Sequence, residues 1–331
     1  MKRLILPRRR ALILSAGALA SPMIASGIAR AAADWPNKPV RYINVFPPGG
    51  PTDTLSRIVC HEMSEATGQQ FIVDNKSGSG GNVGADAIAK SPPDGYTIGL
   101  YTIASHAIAP TLYAKLPFDA GKDFTGIAML WSVPNMLMTR LDLPAKTVPE
   151  LIELTRANPG KYSFASSGAG TSPQISGELF KQLAKVQLLH VPYKGSAPAH
   201  QDLLAGQVDM MWDNIPGPLG LMRGGKVRGL AVTSKQRHPA VPDIPTMAEF
   251  LPGYEITSWG GICAPAGVPQ DMVEKCSAVA KKALEAPAVK AAFEKQGATA
   301  IWMNPADTAA FRAAEEKRLA PIIKESGARV E

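Results

Sequence analysis

The residues best placed to do chemistry sit in two small-residue loops, Phe46-Pro-Pro-Gly-Gly-Pro-Thr-Asp53 and Phe164-Ala-Ser-Ser-Gly-Ala-Gly-Thr-Ser172. Each follows a short apolar run that reads as a strand, and each leads straight into an amphipathic helical pattern. Such a loop leaves backbone N–H groups bare at the positive end of a helix, where an anionic group docks. Two cradles of this kind predict a two-ended anion.

Catalytic readings fit the residues less well. Gly78-Ser-Gly80-Gly-Asn-Val83-Gly84 misses the dinucleotide fingerprint because Val83 stands where its last glycine belongs, and Gly168-Ala-Gly170-Thr-Ser-Pro173 misses it in the same way. His61-Glu62 lacks the second histidine of a zinc protease, and there is no G-x-S-x-G nucleophile elbow. Ser166 or Ser167 beside His106 or His190 leaves a spatially assembled triad open, with an anion-contacting hydroxyl the stronger reading. Cys60, Cys263 and Cys276 are odd in number, widely spaced and without a CxxC pair, so buried thiols are expected rather than a metal knuckle or a disulfide framework. No catalytic residue, metal or cofactor is expected.

These loops need rigid elements to hold them, and the pattern supplies strands alternating with helices nearly throughout. Val40 to Phe46 precedes a helix over Asp53 to Ala66 with Leu55, Ile58, Val59 and Met63 on one face; Phe71 to Val73 precedes Asn82 to Ala89; and Tyr96 to Tyr101 precedes a turn over Thr102 to His106. Later pairs are Tyr162 to Ala165 with Ser172 to Leu183, Leu188 to Val191 with Ala197 to Leu204, and Val208 to Trp212 with Pro216 to Met222. This alternation predicts an α/β fold of parallel sheets covered by helices. Ligands in such sheets sit beyond the carboxyl ends of the strands, where both loops fall. The last third opens with a strand over Tyr254 to Ala264 and turns helical from Pro269, with Asn304-Pro305 as cap and first-turn proline of a final helix that Pro321 is expected to kink.

The first 33 residues read as an export signal: Lys2, Arg3, Arg8, Arg9, Arg10 and Arg30 without an acid, a mildly apolar stretch from Ala11 to Ile28, and Ala31-Ala32-Ala33 before Asp34. Arg9-Arg10-Ala11-Leu12-Ile13 looks like a twin-arginine signal, with the general export route as the alternative. Removing this leader takes six of the 35 basic residues away and leaves 29 against 28 acids, so the formal charge of +7 belongs mostly to the leader. The near-neutral remainder lacks the basic stripe of a nucleic-acid binder. No second apolar run reaches membrane-spanning length. The remaining chain, roughly 300 residues, exceeds one comfortable core and predicts two domains.

At this point the motifs carry a resemblance. The chain resembles the periplasmic solute receptors of tripartite tricarboxylate transporters through the Phe46 to Asp53 loop, Val73-Asp-Asn75 with Gly78-Ser-Gly-Gly-Asn82, Pro93-Asp-Gly-Tyr-Thr97 and His190-Val-Pro-Tyr-Lys-Gly-Ser196. Leu230-Ala-Val-Thr-Ser234 with Arg237, Pro242-Asp-Ile-Pro-Thr246 and Ala264-Pro-Ala-Gly267 extend it over nearly all of the chain after the leader. The resemblance implies a two-lobed, type II-like periplasmic binding protein in which each lobe is a sheet flanked by helices and the ligand cleft lies between them. Lobe one would comprise 34–133 and 254–331 and lobe two 134–253, with crossings near Ser132 to Asn135 and Gly253 to Trp259, where an ordinary loop is the alternative.

By the same resemblance, lobe one would offer the ligand Phe46, Gly49, Gly50, Thr52 and Asp53, then Gly78, Gly81 and Asn82, then Ser105 and His106. Lobe two would offer Ser166, Ser167, Gly168, Gly170, Thr171 and Ser172, with Lys194, Gly195 and Asp213 nearby. For Asp53 and Asp213, helix capping is an equal alternative, and Lys194 reads equally as a solvated turn residue. Tyr101, Trp131, Tyr193 and Trp212 are candidates for the middle of the cleft, with a core position the stronger expectation for each tryptophan. The chain departs from the family's usual pattern at Gln174, where histidine is common, and at Asn44, near a common proline. The implied function is capture, without turnover, of a di-, tri- or aromatic carboxylate by closure of the lobes. Its implied partners are that small carboxylate solute and the membrane permease subunits of a tripartite transporter, with monomer as the default state and the periplasm as location. A receptor that signals to a membrane partner and a secreted hydrolase are the alternatives.

Overall fold

The computed structural model describes residues 35–331, so the expected export signal over 1–33 lies outside the described residues. Strand β1 (Val40–Asn44) passes through the first small-residue loop into helix α1 (Pro51–Thr67). Strand β2 (Phe71–Asn75) leads through a short turn to α2 (Asn82–Ala89), and β3 (Thr97–Thr102) runs into a wide helical turn, Ala104–Ile108, continued by α3 (Ala109–Leu112). After β4 (Phe124–Thr139) come α4 (Val148–Ala157), β5 (Ser163–Ser166), α5 (Ser172–Ala184), β6 (Leu189–Pro192), α6 (Ser196–Leu204), β7 (Met210–Asn214), α7 (Pro216–Arg223) and β8 (Arg228–Val232). The chain closes with β9 (Thr257–Pro265), α8 (Gln270–Glu285), α9 (Pro287–Gln296), β10 (Thr299–Met303) and α10 (Pro305–Ser326).

The α/β reading holds, but the sheet is mixed rather than parallel. Its ten strands run in the order β2-β1-β3-β9-β4-β7-β5-β6, with β8 and β10 also paired to β4. Parallel pairing appears where helices cross over between strands: β1 lies parallel to β2 and β3, and β5 to β6 and β7. Antiparallel pairing enters with β9 and β4, which have no crossover helix setting their direction: β9 pairs β3 and β4, and β4 pairs β7, β8 and β10. Pro36–Glu331 hold together as one contact unit.

Strand β4 organises the fold, and the residues expected at a crossing lie inside it. Val133 and Pro134 pair with Ser258 and Thr257 of β9, whereas the next residue, Asn135, pairs with Asn214 of β7. Pro134 therefore stands where the strand changes partners, a position that tolerates a residue with no N–H to give a ladder. Ser132 to Asn135 is strand, not an ordinary loop.

Packing follows the expected periodicity. Leu55, Val59 and Met63 of α1 are buried, while Ile58 is only half-buried. Trp131 meets Phe293 edge-on at 6.3 Å, and Trp212 packs against Phe164 and Phe180 at 5.5 and 5.4 Å. Both tryptophans are core residues. Cys60, Cys263 and Cys276 are free and buried, and burial pushes the Cys276 thiol up to about 12. Asn304 caps α10 by accepting from the Asp307 N–H, and Pro321 sits inside that helix without ending it. No described helix is long and apolar enough to cross a membrane.

Candidate functional site

Both small-residue loops follow the carboxyl ends of strands, β1 and β5, and both line one hollow. The hollow spans about 590 Å³ with its open mouth included. Of the expected contacts, Phe46, Gly50 and Thr52 line it from the first loop, Ser167, Thr171 and Ser172 from the second, and Lys194 and Gly195 from the turn after β6. Three helices begin at this hollow: α1 with N-cap Gly50, α5 with N-cap Thr171 and α6 with N-cap Gly195. None of the three has a side-chain cap. The Thr171 hydroxyl instead donates to the Gly168 carbonyl at 2.6 Å. Helix starts left uncapped direct their first N–H groups and positive dipole ends outward, so the convergence suits an anion.

Sequence reasoning passed over several lining residues. Thr102, Ile103 and Ala104 arrive from the end of β3, Asn214 from the end of β7 and Ser258 from β9. Beneath them Asn135 binds a polar network: its amide donates to Ser176 Oγ at 2.8 Å, its oxygen accepts from Asn214 Nδ2, and Ser176 Oγ donates to the Ser172 carbonyl at 2.9 Å. Pro47, Pro51, Pro173 and Pro198 also line the hollow.

The other expected residues sit behind this lining. Asp53 is buried and accepts from the Gly49 N–H at 2.8 Å, Asn75 Nδ2 at 2.8 Å and Arg57 Nε at 3.0 Å. Burial pushes its pKa up, but the bonds from Arg57, Gly49 and Asn75 outweigh that and hold the carboxyl below its usual range. Asp53 thus braces the loop that Gly49 belongs to. Asp213 braces the start of α6: its Oδ1 accepts from Ser196 Oγ and from the Asn214 N–H, each at 2.9 Å, and His200 Nε2 lies 2.8 Å from its Oδ2. Gly170 is held by Gln174, whose Oε1 accepts the Gly170 N–H at 2.7 Å. Asn44 donates to the Phe46 carbonyl at 3.1 Å.

Gly78 and Gly81 belong to the turn before α2 and Asn82 starts that helix; none of the three lines the hollow, though a Cβ on Gly81 would sit 3.4 Å from Phe46 Cζ, which does. Ser105 and His106 are wholly buried in the turn after β3. His106 packs between Tyr101 and Phe124 at 4.4 and 4.6 Å, and burial lowers its pKa to about 3, so it is a neutral core residue. Tyr101 is buried with it, and the Tyr193 hydroxyl is taken up by Asp202 at 2.6 Å.

Ser166 and His190 do meet, with Oγ 2.7 Å from Nε2. Ser166 is fully buried, outside the lining, and its hydroxyl is shared with the Gly168 N–H and carbonyl at 3.2 Å each. His190 stacks on Phe164 and has no carboxylate partner among the described residues. A buried hydroxyl without an oriented base or access to the hollow stabilises a loop rather than attacking a substrate.

The two walls touch at glycines. Gly80 lies so close to the second loop that a Cβ on it would sit 2.1 Å from the Ala169 carbonyl oxygen, and a Cβ on Gly195 would sit 3.0 Å from Pro47 Cγ.

Comparisons with known proteins agree with this geometry. The sequence profile of the tripartite tricarboxylate transporter family receptor matches residues 55–328. A UPF0065 protein in the tcbD-tcbE intergenic region of Pseudomonas sp. strain P51 is 40% identical over 88% of this chain and 87% of its own. Among solved structures, R. palustris Rpa4515 with adipate superposes with a TM-score of 0.87 at 36% identity, covering 89% of this chain and all of that one. MatC from Rhodopseudomonas palustris with bound malate gives 0.82 at 32% identity, covering 87% and 100%.

Proposed function

The chain belongs to the family of tripartite tricarboxylate transporter receptors, and from that premise we propose that it captures a small carboxylate in the hollow between its two loops and hands it to a membrane permease. Members of this family are periplasmic binding proteins that take up small carboxylates and work with permeases, and neighbours at 36% and 32% identity hold adipate and malate. The observation that carries the reading is the meeting of three uncapped helix starts at one hollow, with Lys194 at its rim. A carboxylate there receives N–H groups, hydroxyls and one ammonium, and needs no arginine clamp.

Capture works by closure in this reading. Lobe one comprises 34–133 and 254–331, lobe two 134–253, and β4 with β9 crosses between them at Pro134. The solute touches both loops only when the lobes are shut, so it favours the shut state by as much as it prefers those joint contacts. The receptor binds without turnover, acts as a monomer after loss of residues 1–33, and docks on its permease in the shut form. Thermal unfolding of the purified protein against mono-, di- and tricarboxylates tests this. A solute at a hundred times its Kd adds roughly 2.7 kcal/mol and raises Tm by a few degrees; no shift with any acid, together with turnover of simple esters, overturns it.

A further inference from the structure

We infer that the groove between α9 and residues 238–240 docks an acidic, extended segment of a partner protein. The groove is separate from the hollow, since no residue lines both, and it spans about 1280 Å³ with its open mouth included. The inference does not depend on what the hollow holds.

The charge on its walls is out of balance in a chain that is otherwise near neutral. After the leader there are 29 basic residues against 28 acids, yet Arg223, Lys290 and Lys295 line this groove against a single carboxylate, Glu294. All three cations are exposed. Among the described residues none of them forms an ion pair, and Arg223 reaches only the Ala240 carbonyl, at 3.4 Å. Burial lowers the pKa of His238, so that lining residue is neutral at pH 7 and leaves the charge to the other three. Unpaired cations gathered on one face suit a partner of opposite sign.

The groove is preformed. Gly297, the C-cap of α9, is buried where the walls meet: a Cβ on it would lie 3.1 Å from Ile215 Cγ2 and 3.6 Å from Ala240 Cβ. The opposite wall is pinned by the Val241 N–H, which donates to the His238 carbonyl at 2.9 Å, and by the neighbouring ion pair of Arg237 with Glu249 at 2.8 Å. Arg237 and Pro242-Asp-Ile-Pro-Thr246 belong to motifs for which the hollow has no use, and they hold this wall instead.

The spacing of the charges favours a polypeptide over a small anion. Lys290 and Lys295 are five residues apart, about 7.5 Å along the axis of α9, and alternate side chains of an extended strand repeat about every 6.7 Å. Acids at every second position of an extended segment therefore match both lysines. A small anion between the walls meets instead the carboxyl end of α9, the negative end of its dipole. The N–H groups there are already taken, because Gly297 donates to the Glu294 carbonyl and Ala298 to that of Phe293, each at 2.9 Å.

Fluorescence anisotropy with a labelled decaglutamate peptide and its decaglutamine counterpart tests this at low salt. Decaglutamate should bind the purified protein at least about tenfold more tightly than decaglutamine. The triple variant Arg223→Glu, Lys290→Glu, Lys295→Glu should weaken decaglutamate by about tenfold or more, while reversal of the exposed Lys115, Lys146 and Lys317, an equal change of charge, should leave it within about twofold. Carbodiimide coupling of the bound peptide to the parent protein reads the same site without a variant, and mass spectrometry should find the new amide on Lys290 or Lys295. No binding of decaglutamate, equal losses in the two triple variants, or amides only on other lysines overturns the inference. Displacement of the peptide by inorganic phosphate, at an ionic strength where chloride leaves it bound, would make the groove a small-anion site and overturns the inference as well.

Discussion

The Tyr113 hydroxyl donates a hydrogen bond of 3.2 Å to the Ala169 carbonyl, tying the chain just after α3 to the second small-residue loop. Ser79 Oγ lies 3.5 Å from the same hydroxyl, so the turn before α2 joins at that point. The contact links segments 56 residues apart. In the two-lobe reading proposed above, these segments lie on opposite walls, and the bond would form only when the walls are shut.

Tyr113→Phe removes that bond and keeps the ring against Gly170. A neutral bond contributes about 0.5–1.5 kcal/mol, so solute affinity should fall by roughly two- to tenfold with little change in Tm of the solute-free protein. Titration of the variant checks this. An affinity equal to that of the parent would remove the bond from the solute-bound state.

Gly80→Val should do more. Gly80 has φ +62, a backbone conformation that costs a branched side chain about 1–2 kcal/mol or more, and its added Cβ collides with the Ala169 carbonyl rather than with a flexible side chain. We expect solute affinity to drop by more than tenfold while the far-ultraviolet spectrum stays that of the parent. If solute still binds as before, the approach of Gly80 to Ala169 plays no part in capture.

Ser166→Ala separates the structural from the catalytic reading of the Ser166–His190 contact. The substitution leaves His190 Nε2 and the Gly168 N–H without their shared partner, a loss of about 1–3 kcal/mol. Tm should fall, and ester turnover should be absent from both parent and variant. A burst of product from the parent that the variant lacks would make Ser166 a nucleophile.

Much of this site was legible because a helix start leaves a local signature. Gly49 and Gly50 before α1 and the run from Ser166 to Ser172 before α5 can be read from a few adjacent residues. The strand β4 was not legible as a continuous element, because Pro134 interrupts a run that otherwise alternates with nothing. A proline at the changeover between β9 and β7 costs no ladder bond, which only the pairing reveals. Thr102, Asn214 and Ser258 reach the hollow from three strand ends distant in sequence, and no local pattern announces that meeting. The family resemblance placed His106 at the site, yet the turn after β3 holds it in the core between Tyr101 and Phe124.

His106, which is buried, and His190, which is half-buried, should make the protein acid-sensitive above the range where carboxylates titrate. Burial, helped by the Lys181 charge, lowers His190 to about 4, and burial lowers His106 to about 3. In the unfolded chain both take up a proton near pH 6.5, so below that value the unfolded state binds more protons and stability rises with pH. Stability is therefore full above about pH 6.5 and is lost progressively as pH falls from there to about 4 for His190 and about 3 for His106, with a slope of up to about 1.4 kcal/mol per pH unit for each histidine. His190→Gln should flatten the slope between pH 6 and 4.5, roughly, by close to one proton. Identical slopes for parent and variant in denaturant titrations would mean that His190 charges freely in the folded state.

Lys194 provides the last test because it is exposed at the rim and can be changed without disturbing the core. A rim charge in contact with water is screened, so its interaction with a bound carboxylate is worth about 0.5–1 kcal/mol, far less than a buried pair. Lys194→Gln should accordingly weaken solute binding by about two- to fivefold, and added salt should weaken the parent more than the variant, since only the parent has a charge to screen. The helix starts are unchanged in the variant, so binding must persist. Complete loss would place the recognition of the anion on Lys194 instead of the three helix starts, and equal affinity with equal salt dependence would leave Lys194 a solvated residue of the turn.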